Sequence, residues 1–359
     1  MTFGAGRFRL AVLPGDGVGP EVTDAALRVL AAALAGSGVE LSQTRHPIGG
    51  VAIDQGLEPL PPATLKAARE ADAVFLGAVG GPRWDSGPVR PEAGLLQLRR
   101  QLGAFANVRP VRVLAGLEEL SPLRPERVRG ADILFVRELT GGAYFGRPQG
   151  QAGAAPRRRA VDTTEYSETE ISRVLEVAFR LARERSRRVT SVDKANVLAT
   201  SRLWREVAME VGRRHPECRL EHSLVDSFAL RLLLRPTDFD VVVTENLFGD
   251  ILTDEAAALP GTLGMLPSAS GGGEGPWLFE PVHGSAPDIA GRGIANPLGA
   301  ILAVSMLLRL SLGRPDLAEA VEGAVAGAVQ DRCLTPDLGG SATTSEVAER
   351  VAGRLAVRA

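Results

Sequence analysis

Residues 241–254 read VVVTENLFGDILTD, and their pattern changes partway along. Val241-Val242-Val243 is a β-branched apolar run closed by the polar turn Thr244-Glu245-Asn246, the mark of a short buried strand. The helix expected after it carries Asp250 and Asp254. A spacing of four puts both carboxylates on one face, one turn apart. Ile251 and Leu252 point elsewhere and are expected to anchor the helix. Like charges at this spacing repel, so a compensating charge is expected. A hard divalent cation with oxygen ligands would supply it. The competing reading is a solvated acidic face. Open α/β sheets bind ligands beyond the carboxyl ends of their strands, where this turn would lie.

The whole chain fits that class. Its 359 residues suggest about two domains. With 45% hydrophobic and 23% charged residues it can bury a large core. A formal net charge of −2 argues against a nucleic-acid surface or a polybasic membrane surface. Arg157-Arg158-Arg159 and the run from Arg185 to Arg188 are short and flanked by acids, as solvated faces or dimer contacts would be. Cys218 and Cys333 are the only cysteines and form no CxxC, so neither a disulfide framework nor a zinc site is expected. The opening MTFGAGRFRLAVLPGDG lacks a signal-peptide apolar region before Pro14. The apolar run from Leu298 to Leu308 is too short for a membrane span. A cytoplasmic location is expected.

From the N-terminus, Arg9 to Leu13 reads as a strand, Gly15-Asp16-Gly17-Val18-Gly19-Pro20 as a tight turn, and Glu21 to Ala35 as a helix. The order suggests a Rossmann unit, but Pro20 occupies the last glycine position of G-x-G-x-x-G. A second strand, Ala73 to Leu76, ends in a loop through Gly80 whose backbone N–H groups could approach an anion. The helix Gly94 to Leu102 places Leu95, Leu98 and Leu102 on one side with Arg99 beside them. Arg109 follows at a strand start, and Arg137 ends the strand from Ile133. Three arginines at element ends fit a carboxylate clamp, because the guanidinium fork binds carboxylates bidentately. The competing reading, which the residues alone favour, is three unrelated surface salt bridges.

Tyr144 sits in a glycine-rich turn, either as a reactive phenol or as an aromatic plug with a satisfied hydroxyl. Residues 147–164 are polar and poor in core positions, so an extended arm or hairpin reaching a partner subunit is expected. Glu168 to Arg185 is a strongly amphipathic helix. Lys194 follows the strand Arg188 to Val192. Lysine occurs only at 66 and 194, against 39 arginines. Where arginine is otherwise the rule, a lysine at a strand end suits proton transfer, since arginine does not titrate. A surface loop lysine is the plain alternative. Glu221 to Leu234 is a helix or strand–helix junction bearing Asp226, a possible third acid for Asp250 and Asp254. After Pro260 the chain reads GTLGMLPSAS, then the loose Gly271-Gly272-Gly273. Two long helices, Leu298 to Leu310 and Leu317 to Val329, are expected near the C-terminus.

Six segments, in order, carry a resemblance: LPGDGVGPEV (13–22), LLQLRRQLGAFANVRP (95–110), RELTGGAYFG (137–146), SVDKANVL (191–198), NLFGDILTDE (246–255) and EPVHGSAPDIAGRGIANP (280–297). Over essentially its whole length the chain resembles the β-decarboxylating dehydrogenases, the family of isocitrate and isopropylmalate dehydrogenases. The resemblance implies two α/β domains with a mixed sheet flanked by helices, not a Rossmann fold. One would be discontinuous and NAD-binding (1–104 and 261–359). The other (105–260) would carry the dimer interface and the arm.

It further implies that Arg99, Arg109 and Arg137 hold substrate carboxylates and that Asp226, Asp250 and Asp254 surround Mg²⁺ or Mn²⁺. Tyr144 and Lys194, with Asp226, would be the acid–base groups. His283, Gly284, Ser285, Ala286, Asp288, Ile289 and Asn296 would line the adenosine half of the dinucleotide, and the loop from Gly80 to Glu92 its nicotinamide half. Lys194 and Asp226 would serve the neighbouring subunit of a homodimer. Asp288 suits the ribose hydroxyls of NAD and would repel the 2′-phosphate of NADP. Leu95 and Leu96 offer an apolar surface to an isopropyl group. The expected reaction is therefore oxidative decarboxylation of 3-isopropylmalate to 4-methyl-2-oxopentanoate and CO₂ in leucine biosynthesis. The alternatives are tartrate, malate, homoisocitrate or isocitrate as substrate, or a non-catalytic regulatory subunit.

Overall fold

The computed structural model describes residues 6–356; the first five residues of the N-terminal stretch considered for a leader lie outside them. The strands are β1 (Arg7–Gly15), β2 (Glu40–Arg45), β3 (Ala73–Ala78), β4 (Ala106–Arg112), β5 (Asp132–Glu138), β6 (Gly150–Ala152), β7 (Arg159–Val161), β8 (Arg188–Asp193), β9 (Arg219–Leu224), β10 (Val241–Thr244), β11 (Pro267–Gly271) and β12 (Trp277–Pro281). Contacts divide the chain into two units, one of residues 1–104, 114–122 and 260–359, the other of residues 105–113 and 123–259.

In the first unit the strand order is β2-β1-β3-β12-β11, parallel except for the antiparallel pair β11–β12. The helices Gly19–Leu34, Leu298–Leu310, Pro315–Gln330 and Thr344–Ala356 pack against one another. Pro20 stands in the first turn of the helix Gly19–Leu34, where a missing N–H costs nothing. Gly17 has φ +57°, and a Cβ there would lie 1.9 Å from the Ser285 carbonyl oxygen. The glycine turn is thus set by close contact with the 283–289 loop.

The second unit has the order β4-β5-β10-β8-β9. Strand β4 is antiparallel to β5, while β5, β10, β8 and β9 run parallel. Their carboxyl ends therefore share one edge of the sheet. The helix Glu168–Arg183 begins with a capping box, Ser167 and Glu170 satisfying each other's backbone N–H. The polar segment 147–164 holds the exposed hairpin β6–β7. No helix among the described residues is long and apolar enough to cross a membrane.

Three expectations are corrected. Ile251 does not anchor its helix: it is 60% exposed, while Gly249, Leu252, Thr253 and Ala256 form the buried face. Arg109 lies inside β4, not at its start. Gly271, expected to be loose, ends a fully buried strand, β11. Its Pro, Ser, Ala and Gly residues give little hydrophobic signal, and at Gly271 no side chain fits: a Cβ there would meet the Trp277 ring at 2.3 Å.

Candidate active site

The second unit gathers polar side chains at the edge where its parallel strands end. Arg137, near the end of β5, lies opposite Asn107 of β4, and Arg109 is two residues on, so both arginines share one face of the sheet. That face meets the helix Asn246–Ala257. The Arg137 side chain lies across Gly249, where a Cβ would stand 2.6–3.0 Å from its Cβ, Cγ and Cδ. Only glycine permits that approach. Arg137 Nε and Nη2 both donate to Asn246 Oδ1, at 3.1 and 2.8 Å, and Nη1 donates to Asp250 Oδ1. The Tyr144 hydroxyl donates to the other Asp250 oxygen at 2.6 Å. Burial pushes the Asp250 carboxyl up, but Tyr144 and Arg137 outweigh it and hold it below the usual carboxylate range. The bond to Asp250 raises the Tyr144 phenol, so it stays protonated at neutral pH.

Arg109 donates to Asn107 Oδ1 at 2.8 Å and to Thr253 Oγ1 at 3.0 Å, and lies 3.7 Å from Asp254. The two stacked acids are therefore each matched by an arginine from the sheet.

Lys194 and Asp226 form a second pair on the same edge, past β8 and β9. Lys194 Nζ donates to Asp226 Oδ1 at 2.6 Å, which lowers the Asp226 carboxyl. The lysine backbone is fixed on both sides. Its carbonyl accepts from Val197 and Leu198 N–H at 2.9 Å, while buried Asp193 accepts from Ala195 N–H at 2.9 Å and from both forks of Arg205 at 2.8 and 2.7 Å. Among the described residues no three His, Cys, Asp or Glu side chains come close enough to hold a metal ion. Asp226 thus does not join Asp250 and Asp254 within one chain.

In the first unit, Arg99 Nη2 donates to buried Glu280 at 2.6 Å, and its Nε is buried without a partner. Leu95 packs against the core around Leu98 and Leu102, whereas Leu96 is exposed. Glu92 lies against Gly80, whose N–H donates to Asp16 Oδ2 at 2.9 Å. Asp16 also accepts from Gly50 and Val51 N–H at 2.8 and 2.7 Å. In the 283–289 loop, the Ser285 carbonyl accepts from Val18 N–H at 2.8 Å and Ala286 has φ +38°. His283 Nδ1 lies 2.9 Å from the Gly284 carbonyl, its Nε2 is buried without a partner, and burial lowers its pKa. Asp288 is exposed and Ile289 partly so. Asn296 differs: its Oδ1 accepts from Leu298 N–H and its Nδ2 donates to Asp337, both at 2.9 Å, so its side chain serves the local fold.

Sequence reasoning missed Asp16, Asp193, Glu245, Asn246 and Glu280. Glu245 and Asn246 stand in the deciding stretch but read there only as a turn. Their roles depend on partners more than 75 residues away, Tyr166 and Arg137.

The mixed α/β units and these clusters agree with the sequence comparisons. The chain belongs to the isocitrate/isopropylmalate dehydrogenase family, whose model matches residues 9–351. It is 56% identical over 350 residues to a 3-isopropylmalate dehydrogenase of Anaeromyxobacter dehalogenans, covering 97% of this chain and 99% of the relative. It is 54% identical over 352 residues to a 3-isopropylmalate dehydrogenase of Geobacillus kaustophilus, covering 96% and 95%. Among solved structures, an isocitrate dehydrogenase from Methylococcus capsulatus is similar, with TM-score 0.85, 35% identity, and 97% and 99% of the two chains covered.

Proposed function

We propose that this chain is a cytoplasmic enzyme of leucine biosynthesis that oxidatively decarboxylates 3-isopropylmalate with NAD⁺. The observation that carries the chemistry is one helix, Asn246–Ala257, against which two arginines, two carboxylates and a phenol converge. The choice of substrate is supported by the names and full-length identity of the curated relatives.

Arg99, Arg109 and Arg137 orient the substrate carboxylates through their forked N–H groups. Lys194, with Asp226 beside it, takes the hydroxyl proton. Tyr144, kept protonated by Asp250, gives a proton to the enol carbon after CO₂ leaves. Asp250 and Asp254, with Asp226 of a second subunit, offer hard oxygen donors that suit Mg²⁺ or Mn²⁺. When bound, the ion supplies Lewis-acid stabilisation of charge on the substrate oxygens. Bound NAD⁺ supplies the hydride acceptor.

A homodimer follows from this use of Lys194 and Asp226. The exposed apolar side chains of Leu230, Leu234 and Ile251, together with the hairpin β6–β7, support it. We assign the first unit to the dinucleotide. Gly80, Glu92 and Leu95 would lie along the nicotinamide and the isopropyl group. The loop from His283 to Ile289 would take the adenosine, with Asn296 shaping it from behind. His283 fits: with Nδ1–H turned to the Gly284 carbonyl, its unpartnered Nε2 is left as an acceptor.

The test is NADH formation with Mg²⁺ from 3-isopropylmalate, isocitrate, malate and tartrate at equal concentration. Strong preference for 3-isopropylmalate, abolished by EDTA, is expected. Preference for isocitrate would overturn the substrate, and full activity in EDTA the metal assignment. Cofactor choice has its own check. Asp288→Lys combined with Ile289→Tyr replaces a carboxylate that repels the 2′-phosphate with a cation and a phenol donor. The ratio of kcat/KM for NADP⁺ over NAD⁺ is expected to rise by at least about tenfold, the equivalent of about 1.4 kcal/mol. An unchanged ratio would move ribose recognition away from Asp288.

A further inference from the structure

We propose that Asn246, held from behind by Tyr166 and Glu245, is the positioning residue that fixes the Arg137 guanidinium for substrate binding. The proposal rests on the reading above that Arg137 holds a substrate carboxylate. An arginine side chain has several rotatable bonds, and its fork recognises a carboxylate only in the right plane. Two of its nitrogens, Nε and Nη2, donate to the same oxygen, Asn246 Oδ1, at 3.1 and 2.8 Å. A shared acceptor on that edge fixes the plane of the fork and sends Nη1 towards Asp250.

Asn246 is itself fully constrained. Its Nδ2 donates to the Gly141 carbonyl at 3.1 Å, which sets the amide so that oxygen, not nitrogen, faces Arg137. Its backbone N–H donates to the Tyr166 hydroxyl at 2.9 Å, and that hydroxyl donates to Glu245 at 3.1 Å. Glu245 accepts from Leu247 and Phe248 N–H at 3.1 and 2.6 Å, so the network is tied to the first turn of the helix that bears Asp250. The Tyr166 ring is locked edge-on to Trp204, with centroids 5.8 Å apart, and Trp204 donates to Ser191 at 3.1 Å. Asn246, Tyr166, Glu245, Trp204 and Ser191 are all buried. The chain Tyr166–Asn246–Arg137–Asp250–Tyr144 thus runs from the core to the reactive phenol.

The test compares Asn246→Ala and Tyr166→Phe with the unaltered enzyme. Tyr166→Phe keeps the ring against Trp204 and removes only the hydroxyl. Two readouts are taken: KM for 3-isopropylmalate against KM for NAD⁺, and the Kd of malonate, a plain dicarboxylate, by calorimetry without turnover. Asn246→Ala is expected to raise the substrate KM and the malonate Kd by about tenfold, and Tyr166→Phe by about threefold, with KM for NAD⁺ within about twofold. A merely structural role would move both KM values and the melting temperature together. The proposal is overturned if both variants keep malonate affinity within twofold, or if malonate does not bind the unaltered enzyme. Should Asn246→Ala fail to fold, Tyr166→Phe decides by the same criterion. An unaltered enzyme that binds malonate but does not turn over 3-isopropylmalate would refute the substrate reading, while the malonate comparison would still decide the role of Asn246.

Discussion

Lys194→Met is expected to lower kcat on 3-isopropylmalate by about 10³-fold, within the range for removing a positioned acid–base group. Methionine has nearly the same length and flexibility, so packing is largely kept while the titratable amine of Lys194 is lost. The surrounding backbone does not depend on the amine. The Lys194 carbonyl accepts from Val197 and Leu198 N–H, and Asp193 is held by Arg205 and Ala195, whatever side chain stands at 194. Only the 2.6 Å bond to exposed Asp226 disappears, and an exposed ion pair contributes little to stability. The melting temperature should therefore stay close to that of the unaltered enzyme, and KM for NAD⁺ should not move. Steady-state NADH formation measures the loss, and added methylamine should restore part of the rate. A kcat within tenfold of the unaltered value would remove Lys194 from proton transfer.

Arg137→Lys is expected to lower kcat/KM for 3-isopropylmalate by 10²- to 10³-fold, about 3–4 kcal/mol of transition-state binding. The charge is conserved, so a purely electrostatic role would predict a small effect. The geometry predicts a large one. The guanidinium donates in two directions at once, to Asn246 along one edge and to Asp250 from the third nitrogen. A single ammonium on a shorter head cannot reach both. Without its partner, Asp250 no longer holds the Tyr144 hydroxyl in place, and buried Asn246 Oδ1 loses both of its donors. Loss of these hydrogen bonds should also cost about 1–2 kcal/mol of stability. Kinetics and thermal unfolding on the same preparation measure both effects. An activity within fivefold of the unaltered enzyme would show that the fork does not orient the substrate.

What was legible in the sequence was local. The four-residue spacing of Asp250 and Asp254, the buried run Val241–Val243, and Pro20 in place of a Rossmann glycine are statements about a few neighbouring residues. Short-range sterics and helical periodicity fix them. The helices 246–257 and 298–310 were readable for the same reason. Where the local signal was weak it misled. Gly271 read as loose although it ends a buried strand with Trp277 filling the space beside it, and Ile251 looked like an anchor although its helix buries another face.

The sequence by itself determined the α/β class, the absence of a Rossmann fingerprint and the family resemblance. It also singled out Arg99, Arg109, Arg137, Lys194, Asp226, Asp250 and Asp254, but not Asp16, Asp193, Glu245 or Glu280. Only the tertiary structure decided how those charges are paired. Arg137 with Asp250, Arg109 with Asp254, Arg99 with Glu280, and Asn246 beneath Arg137 join residues 109 to 181 positions apart. The energy of a charge depends on the partner that faces it and on the water removed around it. Both are set by strand register and helix packing, which no run of adjacent residues contains.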